Sequence, residues 1–452
     1  MIALALVAAA CSDDGGDVVA DDGSTTTTTT TSAAPPDSGD DTTTTTAAEP
    51  VALPASFRGV TETSIKVGVA VPDFDALQQA GVSNYQGEAD IAFQAFFDAI
   101  NENGGVFGRQ IEPVYVPFDF LDPASQDVAC AEFAGDHEVF IVLYGLLTAN
   151  NLCLTELNET MVMTRSFQTS EMRERSGDTL WLQLNASDDE RARILGIAVH
   201  ESGRLDGKTV GILASQSQGD GLEGRVLQEV LDDLGYDTTL LIGTAAQGDQ
   251  LARESELAIF AENFATAGVD YLFDLTGGAN VAGNLADAGF TPELAYKAIG
   301  PGVDGAADRS VLDGAIGVGE ITEAAMLIDG DFIANCIDVV TAANPELEEE
   351  ILYLPTGDEQ AAGAKSWVNP IMIACDQTRL LKAIGEIVGA ELTNDSFRAA
   401  LDELGPFDLF GYGQASFDSE AKWDGLDEFY LQEYDAASDA ISVVGDPIVV
   451  DR

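Results

Sequence analysis

In the segment SIKVGVAV, residues 64–71, Ile65, Val67, Val69 and Val71 fall at every second position, the period of a strand with a covered face. Gly68 and Ala70 between them are small enough to be covered too, which reads as a strand buried on both sides. In GEADIAFQAFFDAINENGG the period changes. Phe93, Phe96, Phe97 and Ile100 recur at helical spacing, and Gly104-Gly105 ends the helix because glycine accepts the left-handed conformation. QIEPVYVPF predicts a second strand, residues 124–135 a helix, and VFIVLYG a third strand. The same beat returns with KTVGILA as strand, GLEGRVLQEVLDDLG as helix and DTTLLIG as strand. A helix over 252–267, the strand VDYLFDLT and a helix ending near Gly289 follow. Strands alternating with helices imply parallel sheets covered on both faces. Two such runs, separated near WLQLN at 181–185, predict two similar α/β lobes. Ligands of such sheets sit at the carboxyl ends of the strands, and a cleft between lobes would bury a small molecule.

The start of the chain lacks this pattern. The first ten residues, MIALALVAAA, are too short for a bilayer, which needs about 20 apolar residues. They fit the apolar centre of a secretory signal closed by small residues. Leu6-Val7-Ala8-Ala9-Ala10-Cys11 resembles the lipobox of bacterial lipoproteins, although no Lys or Arg precedes it. That resemblance implies cleavage after residue 10 and a lipid on Cys11. Residues 12–50 hold nine acids, no Lys or Arg, two Thr runs and Pro35-Pro36, a composition that cannot offset its own ordering entropy. Residues 11–60 are therefore read as a disordered tether, about 40 residues of which reach on the order of 100 Å when extended. No later segment reads as a membrane helix.

Charge narrows the partners. The formal net charge is −58, from 20 Lys and Arg against 78 Asp and Glu. The phosphate backbone of nucleic acid would be repelled, and a solvating role for the acids is the expectation. Five cysteines are present; with Cys11 set aside for lipid, four remain. In an oxidising exported setting an even remainder reads as two disulfides. Three connectivities are open, and pairing of sequence neighbours, Cys130 with Cys153 and Cys336 with Cys375, is the one expected. With no CxxC and only His137 and His200, no metal site is expected.

Several motifs resolve into turns. GDGLEG at 219–224 matches G-x-G-x-x-G, but Ser215–Gln218 lengthen the turn and the next strand ends without the expected acid. It reads as a helix start lining a different ligand. GRLDGKT at 203–209 is one residue short of a P-loop and precedes a strand instead of following one. His137 and His200 have no nucleophilic partner and read as surface or helix-end residues. Acid pairs such as Asp188-Asp189 and Asp232-Asp233 read as chance in so acidic a chain. No catalytic residue and no cofactor is predicted.

A family resemblance joins these features. Ile100-Asn101, Gly104-Gly105-Val106, Gly108-Arg109 and Ile111-Glu112 read INxxGGVxGRxIE, with Asp119 beyond. This is similar to the signature of the leucine/isoleucine/valine-type solute-binding proteins of ABC importers. SQSQGDGLEG resembles their strand-to-helix turn, and GPFDLF at 405–410 with Ser416-Phe417-Asp418 their C-terminal stretch. The resemblance covers roughly residues 61–445. It implies a type I periplasmic-binding fold: α/β, two similar lobes, each a parallel sheet flanked by helices, joined by three crossover strands. Lobe one is placed at 61–182 plus 321–404, and lobe two at 183–320 plus 405–446.

The resemblance also implies a site. At Gly145-Leu146-Leu147-Thr148, free backbone N–H groups and the Thr148 hydroxyl favour an anion or carbonyl; Thr148 as a plain N-cap fits equally well. Thr169 in FQTSEM matches a second hydroxyl. Gln218 stands where the family places an aromatic, which removes an apolar wall. Asp274 and Thr276, after VDYLF, offer a further contact. In GPGVDG, Gly302 replaces the acid that pairs with an amino acid's ammonium group. Asp304 substitutes only if the loop shifts, and Asp274 is an alternative anchor. The expectation is an exported, monomeric binding protein, held outside the bacterial cytoplasmic membrane by its lipid alone. It delivers a small polar ligand, amino-acid-like or amide, to an ABC permease; the alternative is a sensory module of the same fold.

Overall fold

The computed structural model describes residues 53–79, 85–165, 169–216, 221–245, 249–277, 280–304, 306–319, 321–356, 359–360, 362–420 and 422–449. The leader, Cys11 and most of the tether lie outside them. The first sheet holds β1 (Ser64–Pro72), β2 (Gln110–Phe118), β3 (Ile141–Tyr144), β4 (Met161–Thr164) and β5 (Trp181–Gln183), in the order β2-β1-β3-β4-β5. All its pairings are parallel. The second holds β6 (Val210–Ser215), β7 (Thr238–Gly243), β8 (Tyr271–Asp274), β9 (Glu293–Tyr296) and β10 (Ile316–Gly319) in the order β7-β6-β8-β9-β10. The two windings are the same, so the repeated beat of the sequence is a repeated topology. Strand β13 (Glu428–Asp435) extends the second sheet antiparallel to β10, and β14 (Ala440–Val443) pairs with it in turn. A hairpin of β11 (Phe407–Leu409) and β12 (Gly413–Ala415) stands apart from both sheets.

Alternation builds the core. Ile65, Val67 and Val69 of β1 and Ile141 and Leu143 of β3 enter the largest apolar cluster. Ala70 and Val142 point into a second cluster on the opposite face of the same sheet. The second sheet divides likewise: Tyr271 and Phe273 face the large cluster, Leu272 a separate one. Helix α1 (Ala89–Glu102) buries Phe93, Phe96 and Phe97, as its spacing predicts.

The sequence signature after α1 is a fold staple. Gly105 has φ 76°, and a Cβ there would stand 1.9 Å from the Arg109 carbonyl oxygen. The Asn101 side chain donates to the Ile111 carbonyl (3.0 Å) and accepts from the Ile111 N–H (2.7 Å), fixing the helix end against β2. Arg109 is fully buried. Its guanidinium donates to the carbonyls of Thr61 (2.9 Å), Pro54 (2.9 Å) and Ala390 (2.7 Å), so it joins three remote segments.

Further helices used below are α2 (Pro123–Ala131), α3 (Leu152–Asn158), α4 (Ser170–Ser176), α5 (Asp188–Glu201), α6 (Leu222–Asp233), α7 (Gln250–Ala267), α8 (Val281–Asp287), α9 (Ile299–Asp304) and α10 (Val368–Val388). Cys130 of α2 is bonded to Cys153 of α3, and Cys336 to Cys375 of α10, the expected pairing. The chain leaves the first sheet after Gln183, returns after Gly319 and crosses again at 416–427 before β13. The first and third crossings run side by side. Gln183 donates its N–H to the Trp423 carbonyl (2.7 Å) and accepts from the Gly425 N–H (2.9 Å). Before the third crossing the β11–β12 hairpin is pinned to α10, where buried Asp376 accepts from the Phe410 (3.0 Å) and Gly411 (3.2 Å) N–H groups.

Candidate functional site

In each sheet the strand order reverses at one point, between β1 and β3 and between β6 and β8. Ligands of open parallel sheets lie beyond the carboxyl ends of the strands at such a point. Most of the described candidate side chains gather at these two edges.

At the first edge β3 ends in a sharp turn. Tyr144 and Gly145 have φ of 67° and 77°, and a Cβ on Gly145 would meet Thr164 Cγ2 at 2.4 Å. The Tyr144 N–H donates to Gln377 Oε1 (2.8 Å) of α10, whose Nε2 donates to the Met163 carbonyl (3.1 Å). Two of the N–H groups expected to be free have partners. Leu146 donates to buried Asn151 Oδ1 (2.8 Å), and Leu147 to buried Gln126 Oε1 (3.0 Å). Both donors are engaged because buried amide side chains need partners of their own. Leu147 precedes a short 3-10 turn, Thr148–Asn151; the Thr148 side chain lies outside the described residues.

Thr169 is buried and caps α4, its hydroxyl accepting from the Met172 N–H (3.3 Å). Beside it Ser170 donates its N–H to Asp189 Oδ1 (3.1 Å) and its hydroxyl to Asp189 Oδ2 (2.5 Å). Asp189 comes from the first turn of α5, beyond the first crossing, so this carboxylate bridges the two sides. Favourable placement of an anion at a helix N-terminus explains the arrangement.

At the second edge Asp274 ends β8 and is 1% exposed. Its Oδ1 accepts from the Thr276 N–H (2.9 Å) and hydroxyl (2.7 Å), which accounts for the conjunction of these two residues in the sequence. Burial pushes the Asp274 carboxyl up to about 6, against the hydrogen bonds from Thr276 and the charges of Lys297 and Arg253. Gln218 lies outside the described residues, as does the side chain of Asp304, the last residue of α9. At Gly302 a Cβ would come within 2.9 Å of the Tyr296 ring, so that ring occupies the space an acid would need.

A residue without a sequence prediction organises this edge. Lys297, directly after β9, places its ammonium 2.7 Å from Glu223 Oε2 of α6 and 3.4 Å from Asp188 Oδ2 of α5. The Asp188-Asp189 pair is therefore not chance: one residue holds Lys297, the other Ser170. Asp232 and Asp233 close α6 away from this edge. Burial pulls the Lys297 ammonium down, but Asp188 and Glu223 outweigh it and leave it raised. Burial, reinforced by Asp188 and Asp189, pushes Glu223 up to about 8 despite Lys297. One ammonium serves two carboxylates here, and Glu223 holds its proton more tightly than an ordinary carboxyl.

A carboxyl raised in the folded state binds its proton more tightly there than in the unfolded chain. Its contribution is complete below the ordinary value of 4.5 and is lost as pH climbs through about 8. Glu223→Gln keeps the shape and removes the titration. The expected result is a flatter stability profile across about pH 5 to 8 than the parent chain, by urea unfolding at stepped pH. Parallel profiles would show that Glu223 keeps its ordinary affinity for the proton.

The architecture is that of the type I periplasmic-binding fold, and solved structures that share it are ABC-transporter substrate-binding proteins, including leucine/isoleucine/valine-binding types. A possible leucine/isoleucine/valine-binding protein from Rhodopirellula baltica superposes with a TM-score of 0.60 at 14% identity, covering 88% of this chain and 98% of its own. A substrate-binding protein from Desulfitobacterium hafniense in complex with Leu gives 0.57 at 15% identity, covering 84% of this chain and 100% of its own. One from Rhodopseudomonas palustris with 3,4-dihydroxybenzoic acid gives 0.59 at 14% identity, with 85% and 97% covered. No family model matches the sequence, and no curated protein does. These likenesses carry the fold.

Proposed function

We propose that this chain is an exported, lipid-anchored solute-binding protein. It captures a small polar organic ligand, amino-acid-like or amide, between its lobes and delivers it to an ABC permease. The lobes are read as 61–182 with 321–404 and 183–320 with 405–446, although the β11–β12 hairpin that opens the last stretch is pinned to α10 of lobe one; the protein acts as a monomer tethered through Cys11. The observation that carries the reading is the pair of identical windings whose switch points both hold buried polar side chains, Gln126 and Asn151 on one side and Asp274 and Glu223, beside half-buried Lys297, on the other. Joined by crossings at one place, such lobes close as a hinge, and a ligand with contacts on both selects the closed state. Thr148, Thr169, Gln218, Asp274, Thr276 and Asp304 are the proposed contacts, with Leu147 in the wall.

Neighbours of this fold are crystallised with Leu or with an aromatic acid, so the fold leaves the ligand open. The test is a thermal-shift screen of the full chain against amino acids, amides, polyamines, sugars and aromatic acids, paired with small-angle scattering. One chemical class is expected to raise the melting temperature and compact the molecule; ligand at a hundred times its Kd stabilises by about 2.7 kcal/mol. Turnover of a panel compound, or the absence of both shift and compaction across the panel, would overturn the reading.

A further inference from the structure

We propose that the cleft takes an organic cation that carries no carboxylate group; the inference rests on the solute-binding reading above. The first observation is the state of the donors at the first edge. The N–H groups of Leu146 and Leu147 are held by Asn151 and Gln126. The N–H and hydroxyl of Ser170 are held by Asp189, and the N–H of Met172 by Thr169. A ligand carboxylate arriving at the start of α4 would meet the carboxylate of Asp189 already in place. The cations nearby are also engaged. Arg165 donates Nε to the Tyr412 hydroxyl (2.9 Å), and Lys297 lies between Glu223 and Asp188.

The second observation is independent and comes from the other edge. Asp274 Oδ2 and Glu223 Oε1 are buried with no hydrogen-bond partner among the described residues, in side chains 1% and 2% exposed. Leaving a buried acceptor without a partner is unfavourable, more so when it is charged, so two of them at one sheet edge call for donors from outside the chain. They flank the switch point, one at the end of β8 and one at the start of the helix after β6. The groups acting on Asp274 are Lys297, Arg253 of α7 and Tyr296; those acting on Glu223 are Lys297, Asp188 and Asp189. Lys297 thus acts on Asp188, Glu223 and Asp274, with Arg253 acting on Asp274 and Arg191 on Lys297. Among the described residues no three ligating side chains converge as a metal site requires, which points to an organic cation. Ammonium, amidinium and guanidinium groups bring several N–H donors on a compact charge, the kind of partner that such orphan oxygens call for. A net charge of −58 also raises the local concentration of such ligands.

The experiment is isothermal titration calorimetry of the full chain at pH 7, in buffers of different ionisation enthalpy. The probes are putrescine, agmatine, leucine, benzoate and acetamide. Putrescine or agmatine is expected to bind at least a hundredfold more tightly than leucine or benzoate and to release protons on binding. Asp274→Asn is expected to weaken that binding at least a hundredfold, and Glu223→Gln to abolish most of the proton release, with folding checked by circular dichroism. Should Asp274→Asn fail to fold, the proton release lost in Glu223→Gln decides the matter. Preferential binding of leucine, benzoate or acetamide would overturn the inference and leave solute binding intact. Cation binding unchanged in both folded variants would overturn it as well. No binding by any probe would count against the inference and the solute-binding reading together.

Discussion

Replacing Cys130 and Cys153 by alanine is expected to cost about 3.5 kcal/mol of stability, and replacing Cys336 and Cys375 about 4 kcal/mol. The figures follow from the chain entropy that each bond withholds from the unfolded state, with 23 and 39 residues of sequence separation. A typical domain has only about 5–15 kcal/mol in total, so loss of both bonds leaves the protein near its unfolding threshold. Both bonds lie in elements flanking the first sheet: α2 with α3, and the turn before Asp338 with α10. The second sheet has none. Two of the three tryptophans, Trp181 and Trp367, lie with the first sheet and its helices, and Trp423 on the third crossing. Urea unfolding followed by tryptophan fluorescence and by circular dichroism therefore separates the outcomes. If the fluorescence midpoint falls ahead of the dichroism midpoint, the lobes unfold in turn; coincident midpoints mean that the crossings couple them. Shifts below about 1 kcal/mol would show that the unfolded chain is already restricted without the bonds.

The fold was legible because its signals are local. Alternation at Ile65, Val67 and Val69 and the phenylalanine spacing of α1 arise from neighbours in sequence, and both enter the core as expected. Asn101, Gly105 and Arg109 form a signature because one turn needs all of them, and their partners in the structure are backbone groups. The site was less legible, since its groups are satisfied from afar. Gln126 caps Leu147 from 21 residues away, and Lys297 meets Glu223 across 74. A polar side chain seen alone gives no hint of such a partner. Asp188-Asp189 looked like chance because 78 acids make many such pairs. The usable signal was the rarer charge: a lysine directly after a strand, in a chain with 20 cations, has few reasons to be there other than a buried carboxylate. Asp274 and Thr276 came from the family resemblance, and the bond that joins them spans only two residues.

Lys297→Met is expected to cost about 3–5 kcal/mol near pH 8, the range for a buried ion pair that loses one partner. The ammonium is the shared counter-charge of Asp188 and Glu223, and its 13% side-chain exposure leaves little solvent to replace it. It also joins the end of β9 to the first turns of α5 and α6, so its loss loosens the wall that carries Asp274. The deficit is expected to shrink toward pH 5, because Glu223, already pushed up to about 8, takes a proton and ceases to need a partner. Urea unfolding of parent and variant at pH 5 and about pH 8 tests both parts. A deficit that stays constant with pH would assign the cost to lost packing by the lysine stem. No deficit at pH 8 would mean that the three charges are solvated and that the cluster does not hold the cleft wall.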